Sequence, residues 1–348
     1  MKRTTIMLLL VMCILSACSV NSHYNSKKPH HTESGFQNIY YHDDTGFVDF
    51  LAWKWEQLFK DSPEADDFTF EIDARQHQLL KTNQVKTSLT WIGHATFLIQ
   101  LNGLNILTDP QFSERASPVS WAGPKRVVAA AMELSDLPEI DAVIISHDHY
   151  DSLDVASVKA LVTHNTQRSL SFLVPLGMKS WFDELGLVDI QVIELDWGQS
   201  HLLNGLRFTA EPSQHWSKRT LFDAYDRLWA SWVIESADRR IFFAGDTGYA
   251  PHFKQIGHKY GGFDIALLPI GGYEPRWFMK PYHVNPEEAV KIHLDIRSRY
   301  SVAMHWGTFV LTDEALDEPP LELRKALNKY QLPEAEFEVY KHGETRFF

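Results

Sequence analysis

Cysteine is nearly missing from this 348-residue chain: the only two, Cys13 and Cys18, lie within the first twenty residues. The rest of the chain can therefore hold neither a disulfide framework nor a thiolate metal site, and a bound metal would need imidazole and carboxylate donors. Positive charge is also scarce. Lys and Arg total 33 against 45 Asp and Glu, giving a formal net charge of −12 and a sequence pI near 5.8. Nucleic-acid binding needs a basic footprint that releases counterions, so no nucleic-acid partner is expected. Heptads and fixed-period repeats are absent. The composition is 44% hydrophobic, 13% aromatic and 22% charged, which suits a chain that buries a large core in one α/β unit.

The longest apolar run, Ile6 to Leu15, falls short of the roughly 20 residues of a membrane span. Preceded by Lys2 and Arg3, it has the shape of a signal-peptide core. The run ends Leu15-Ser16-Ala17-Cys18, which looks like a bacterial lipobox. The segment thus reads as a signal peptide over 1–17 and a lipid-acylated Cys18, the alternative being an ordinary cleaved signal with an incidental cysteine. Cleavage takes the net charge from −12 to −14. Ser19 at the next position resembles lipoproteins sent to the outer membrane, so the expected location is the bacterial cell envelope with a lipid anchor in the membrane. Residues up to 46, rich in Asn, Ser, Lys and His, read as a polar tether with His30 and His31 as solvated linker.

From residue 47 to 348 no linker interrupts the chain. Phe47 to Phe59 reads as a helix packed on the domain, and short strands and helices then alternate. Leu89 to Ile92 and Thr96 to Leu101 are β-rich, and Asn102-Gly103 before Leu104 to Leu107 signals a tight hairpin. Asp141 to Ser146 reads as a strand, Val155 to Val162 as a helix, Phe172 to Val174 as a strand and Met178 to Leu185 as a helix. Further strands are expected at Leu206 to Ala210, Trp229 to Glu235, Ile241 to Ala244, Ile265 to Pro269 and Val302 to His305. Asn285-Pro286-Glu287-Glu288 supplies an N-cap, a first-turn proline and a capping-box glutamate for a helix through His293. Two mixed sheets packed face to face with helices outside would satisfy this order.

The chemistry gathers at strand ends. In Ser146-His147-Asp148-His149-Tyr150-Asp151-Ser152-Leu153-Asp154, His147 and His149 alternate to one side of an extended stretch. Both imidazoles can reach one ion, and a carboxylate two residues on can reach a neighbouring position. His215, Asp246 in a Gly-Asp turn, and His305 each follow an apolar run. Asp109 does too, although Asp109-Pro110 also suits a plain turn. Imidazole and carboxylate without sulfur suit zinc.

The order His-x-His-x-Asp, lone His, Gly-Asp, late His resembles the metallo-β-lactamase fold hydrolases. Trp91-Ile92-Gly93-His94-Ala95-Thr96, Leu107-Thr108-Asp109-Pro110, Gly123-Pro124-Lys125-Arg126, Gln214-His215-Trp216, Tyr273-Glu274-Pro275-Arg276-Trp277-Phe278-Met279-Lys280 and His305-Trp306-Gly307-Thr308-Phe309 narrow it. They resemble the subfamily of phospholipases D that hydrolyse N-acyl-phosphatidylethanolamine, over roughly residues 45 to 345.

The resemblance implies a four-layer αβ/βα sandwich of two mixed sheets. It also implies His147, His149 and His215 on one zinc ion, Asp151 and His305 on a second, and Asp246 bridging both. Where the family has a histidine after Asp151 this chain has Ser152. A hydroxyl is a poor zinc ligand, so the expectation is one ion or two, with the second held more weakly. Asp154 reads as a buttress for a histidine or as a substitute ligand.

Cleavage of a phospholipid or other phosphodiester would then use Asp151 and Asp246 at the metal. His283 would contact phosphate or protonate the leaving group, and Tyr150 would border the substrate. Trp277, Phe278 and Met279 read as core or as an acyl groove. A homodimer is expected from the family alone. Two other readings stay open: a hydrolase of the same fold acting on another phosphodiester, lactone or ester, and a non-catalytic zinc-binding envelope lipoprotein favoured by Ser152.

Overall fold

The structure, a computed structural model, describes residues 21–40, 45–60, 63 and 68–348. The signal segment and Cys18 lie outside the described residues. The chain opens with a hairpin, β1 (His31–Thr32) and β2 (Gly35–Phe36), and then builds two seven-stranded mixed sheets. The first runs β3 (Ser88–Gly93), β4 (Thr96–Leu101), β5 (Leu104–Thr108), β6 (Ala142–Ile144), β7 (Leu170–Pro175) and β8 (Ile190–Leu195) in spatial as in chain order. The second runs β9 (Ser200–Leu203), β10 (Leu206–Glu211), β11 (Ser231–Glu235), β12 (Arg240–Phe243), β13 (Ile265–Pro269), β14 (Ser301–Met304) and β15 (Phe337–Glu338). The last strand, β16 (Thr345–Phe347), returns to pair with β3.

Each sheet begins antiparallel and turns parallel, at β5 in the first and β12 in the second. Two antiparallel steps restore direction. The C-terminal ends of β3, β5 and β6 therefore share one edge, as do those of β10, β12, β13 and β14. The amide of His305, just after β14, donates to the carbonyl of His94 at the end of β3 (3.0 Å), joining the two edges.

Helices flank the sheets: α1 (Phe47–Gln57), α2 (His77–Leu80), α3 (Val155–His164), α4 (Lys179–Leu185), α5 (His252–Tyr260), α6 (Arg276–Met279), α7 (Pro286–Asp295) and α8 (Glu318–Tyr330). Strand residues alternate between the two layers. On β4, Phe97 and Ile99 enter the core between the sheets, whereas Leu98 joins the layer holding Val158, Leu161, Trp181 and Phe182 of α3 and α4. Trp232 in that inner core donates its indole N–H to Ile145 O of the opposite sheet (2.8 Å), so its polar edge is satisfied. The expected capping box on α7 is present, Asn285 accepting from Glu288 N and Glu288 from Asn285 N. Asn102 and Gly103 take φ of 53° and 78° in the predicted hairpin turn.

One expectation fails at the start of the chain. Residues 21–40 belong to the folded body where a solvated tether was expected. His30 and His31 are buried, and both ring Nε2 atoms meet Asp196 (2.7 and 3.0 Å), which also takes the Lys28 ammonium. Helix α1 forms as expected but docks on one side only. Trp53 is buried, stacking on Phe278 at 5.1 Å and donating to Asp313, while Phe47, Val48, Leu51 and Trp55 face outward. No described helix is long and apolar enough to cross a membrane.

Burial holds three histidines outside the strand-end cluster neutral: His252 and His342 are lowered to about 3 and His293 to about 4. Their folded pKa values lie below the unfolded value, so the unfolded chain binds the extra protons and stability falls as pH drops through about 6.5. We expect a loss of up to about 1.4 kcal/mol per pH unit for each below that point. Denaturant titrations at pH 7 and pH 5 check this. His252→Gln should lose less between the two than the parent, and equal losses would refute the assignment.

Candidate metal centre and active-site cleft

Every site residue inferred from strand ends reaches the joined edge. His147 and His149 follow β6, and their rings meet edge to face at 4.5 Å. His215 comes from the loop after β10, and its Nε2 lies 3.3 Å from His149 Nδ1, while His147 Nε2 lies 2.9 Å from the same atom. Carbonyls and carboxylates fix the tautomers. His215 Nδ1 can only donate to Tyr282 O (3.0 Å), leaving its Nε2 a bare lone pair. Ser146 Oγ gives its proton to Asp109 Oδ2 (2.5 Å) and so accepts from His147 Nδ1 (2.8 Å), leaving His147 Nε2 bare as well. Two lone pairs thus face one nitrogen of His149 that carries at most one proton. Such a set calls for a cation.

The second group lies beside it. Asp246 Oδ2 is 2.9 Å from His305 Nε2 and 3.9 Å from His147 Nε2, so this carboxylate stands between the two clusters. Asp151 Oδ2 is 3.4 Å from His305 Nε2 and 3.0 Å from His94 Nε2. Left-handed backbone presents several of these groups: φ is 54° at His94, 61° at His305 and 60° at Gly245. A Cβ on Gly245 would meet Ser146 Cβ at 2.5 Å, so the Gly-Asp turn needs glycine for both conformation and space.

Electrostatics agree with the geometry. Burial, with the charge on His149, lowers His147 to about 3, and burial takes His215 well below the usual imidazole value. Both rings stay neutral donors. Burial pushes the Asp151 and Asp246 carboxyls upward, but the His305 and His94 rings beside it hold the first below the carboxylate range, and the His305 charge holds the second there. Burial also opposes a charge on His305, yet Asp246 and Asp151 raise it well above 6.5. Two carboxylates that force a buried imidazole positive are a site short of cationic charge. Asp246 Oδ1 and His149 Nε2 have no hydrogen-bond partner among the described residues. The donors fit a metal ion.

Other residues fall elsewhere. Asp109 orients His147 through Ser146 and is no simple turn residue. Asp154 is neither ligand nor histidine buttress, since its Oδ2 caps α3 by accepting from Ser157 N and Oγ and from Ser113 Oγ. Tyr150 lines the cleft, but its hydroxyl donates to Arg219 O (2.7 Å), so it offers a ring face. His283 stands in the cleft wall, its ring 5.2 Å from His215, and burial lowers it to about 4.

Sequence reasoning missed two participants. Asn38 donates to His215 O (2.8 Å) and accepts from His215 N, so the first segment positions a cluster residue. His94, His305 and Asp151 place their ligand atoms within 4.8 Å of one another. His94 sits in a Gly-His-Ala turn after an apolar strand, the same signal that marked His215 and His305.

The cleft over these groups has a volume of about 670 Å³, within the roughly 300–1,000 Å³ of small-molecule sites. Its floor includes Asp151, Asp246 and His305, and its walls, which also hold His283, are mainly apolar, with Phe47, Phe50, Trp53, Leu221, Phe278 and Met279. Phe278 and Met279 therefore line the cleft, while Trp277 stands outside it.

Two sheets with helices outside and a buried histidine–carboxylate set on their joined edge define a metal-dependent hydrolase of the β-lactamase superfamily. The family model described as Beta-lactamase superfamily domain matches residues 104–306, and the chain belongs to that family. Within it the chain is 43% identical over 265 residues to "N-acyl-phosphatidylethanolamine-hydrolyzing phospholipase D 1" of Caenorhabditis elegans, covering 73% of this chain and 74% of the nematode protein. It is 31% identical to a metal-dependent hydrolase of Caldivirga maquilingensis, over 74% of this chain and 96% of that one. A solved metallo hydrolase from Ignicoccus hospitalis shares the fold at a TM-score of 0.58 and 24% identity, covering 76% of this chain and 99% of that chain.

Ser146→Ala would remove the link by which Asp109 sets the His147 tautomer. We expect metal affinity to fall about 10- to 100-fold with the fold intact, measured by chelator competition alongside far-UV circular dichroism. Unchanged affinity would show that the link does not orient His147.

Proposed function

We propose that the protein is a zinc-dependent phosphodiester hydrolase of phospholipase D type, cleaving N-acyl-phosphatidylethanolamine to phosphatidic acid and N-acylethanolamine. The observation that carries this reading is the shared cleft: the same space touches the histidine–carboxylate floor and a largely apolar wall. A small polar diester would leave that wall without a partner, whereas a phospholipid offers a charged phosphate to the floor and chains to the wall. The name of the nematode relative supports the same substrate.

His147, His149 and His215 would hold one zinc ion, Asp151 and His305 a second, with Asp246 between them. Ions there would supply Lewis acidity, activating water near neutral pH and offsetting charge on the phosphate. Asp151 and Asp246 orient the attacking water, whose oxygen joins phosphorus as the bond to the ethanolamine oxygen breaks. Asp151 takes the proton that water loses. His283, on the wall beside His215 and Asp246 and kept neutral by burial, contacts a phosphate oxygen through its N–H, and the proton held by Asp151 passes to the departing oxygen.

Substrate would reach the cleft from a bilayer. Phe47, Val48, Leu51 and Trp55 on the outer side of α1, with Leu58 and Phe59 just after it, are all at least half exposed and form an apolar stripe. Leu221, at 81% exposure, adds to the cleft rim, with Phe222 next in the chain at 92%. An apolar stripe beside a lipid-sized opening suits contact with an acyl–headgroup boundary. An acylated Cys18 in the cell envelope, in the outer membrane by its Ser19 neighbour, would keep the enzyme on such a surface.

Incubation of the full chain with zinc and N-acyl-phosphatidylethanolamine vesicles, followed by mass spectrometry of the lipids, tests the reading. Phosphatidic acid and N-acylethanolamine should form with the parent and fall at least about 100-fold with Asp246→Ala. A metal-loaded chain that makes neither product would move the assignment to another phosphodiester or an ester. Trp55→Glu with Phe59→Glu should slow turnover of vesicles far more than turnover of a short-chain soluble analogue. Equal effects on both would rule out the outer stripe as the lipid-facing surface.

A further inference from the structure

We propose that His94 is a protein ligand of the second metal position, completing it together with Asp151, His305 and the shared Asp246. The inference rests on the metal-centre reading above and goes beyond it in assigning a donor that neither the His-x-His-x-Asp string nor its downstream partners contain.

The geometry is that of donors around one ion. Ligands about 2.1 Å from a tetrahedral ion lie about 3.4 Å from one another. Here His94 Nε2 and His305 Nε2 lie 3.0 and 3.4 Å from Asp151 Oδ2, and His305 Nε2 lies 2.9 Å from Asp246 Oδ2. The spacing matches the first cluster, where neighbouring ring nitrogens are 2.9 and 3.3 Å apart. Despite those short distances His305 Nε2 makes no aligned hydrogen bond, as expected of a donor aimed at a point between the carboxylates.

The chain also fixes where His94 can point. Its N–H donates to Thr308 Oγ1 (2.9 Å), and its carbonyl accepts from His305 N (3.0 Å) and Trp91 Nε1 (2.9 Å). That clamp holds a positive-φ conformation, uncommon in a residue with a side chain. The ring is then wedged between His305, with centroids 4.1 Å apart, and the edge of Phe309 at 5.2 Å. Strained backbone held by three hydrogen bonds and a packed ring fits a donor that must not move.

Ser152 is the other observation. It follows Asp151, is fully buried, and its hydroxyl has no partner among the described residues. A hydroxyl binds such an ion poorly. His94 approaches the same carboxylate from the end of β3 and supplies the imidazole that position 152 lacks.

The simpler role for His94 is a hydrogen bond that steadies Asp151, and His94→Gln separates the two because its amide keeps a donor but is a poor zinc ligand. The full chain, loaded with Zn²⁺ or Co²⁺ and freed of excess ion, would be assayed for bound metal by elemental analysis and Co²⁺ absorption. We expect about two equivalents in the parent, about one in His94→Gln, and a return to about two in His94→Gln with Ser152→His. Circular dichroism would confirm that each variant folds. His94→Gln retaining both equivalents, a parent holding only one, or failure of Ser152→His to restore the second would overturn the inference. A parent with two equivalents that makes no phosphatidic acid would instead overturn the lipid reading and leave His94 in place.

Discussion

The structure turns on one electrostatic problem: two carboxylates and several neutral imidazoles are buried in a single volume where two sheets meet. Isolated buried charge is unfavourable by several kcal/mol per ion after relaxation. Asp151 and Asp246 both remain ionised there, drawing His305 into the charged form. On the other side of Asp246, His147 and His215 present lone pairs that the protein does not cap. One half lacks positive charge and the other lacks an acceptor for its lone pairs. A divalent cation resolves both with the same charge, which is why the two clusters share Asp246.

The rest of the fold keeps that volume from relaxing. A soft site would let His215 swing out or Asp246 turn to solvent. Instead Ser146 and Asp109 set His147, the carbonyl of Tyr282 sets His215, and Asn38 grips the His215 backbone from both sides. Asn38 lies a few residues after the hairpin that Asp196 fastens through His30, His31 and Lys28. The first described segment is therefore structural support for the centre, and its polar composition reflects groups that pair with the domain.

Much of this was legible in the sequence because metal-binding edges leave a regular trace: an apolar run ending in His, Asp or Gly-Asp. His147, His149, Asp151, His215, Asp246 and His305 all carried that trace, and the structure brings them together. The layer architecture followed from alternation, since strands buried on both faces sit between helices of 3.6-residue spacing. What failed needed partners distant in the chain. His30 and His31 look solvated until Asp196, some 165 residues later, is beside them. Asp154 looked like a metal-site residue because it is near one in sequence, yet an aspartate before a helix is first a cap. For α1 the apolar content was plain, but composition does not say which side of a helix the domain covers.

The division between edge and cleft explains where substrate choice resides. The metal-binding edge is built from the ends of strands packed on both faces, where a side chain shifts only if the core shifts. The cleft walls come from α1, the loop around Leu221 and the stretch from Phe278 to His283, elements added to the sheets. Changing α1 or the Leu221 loop alters what reaches the floor without disturbing the charges on it, whereas the Tyr282 carbonyl ties the third segment to His215. The hydrolytic chemistry is thus a property of the two sheets, and substrate selectivity is a property of the segments that cover their joined edge. Helix α1 is apolar on two sides, since Phe50 and Trp53 face the cleft while Trp55 and Leu51 face outward. Its two apolar sides lie one helix thickness apart, roughly 10 Å. Under the proposed lipid reading, that spacing is short enough for a lipid to enter the cleft without crossing open water.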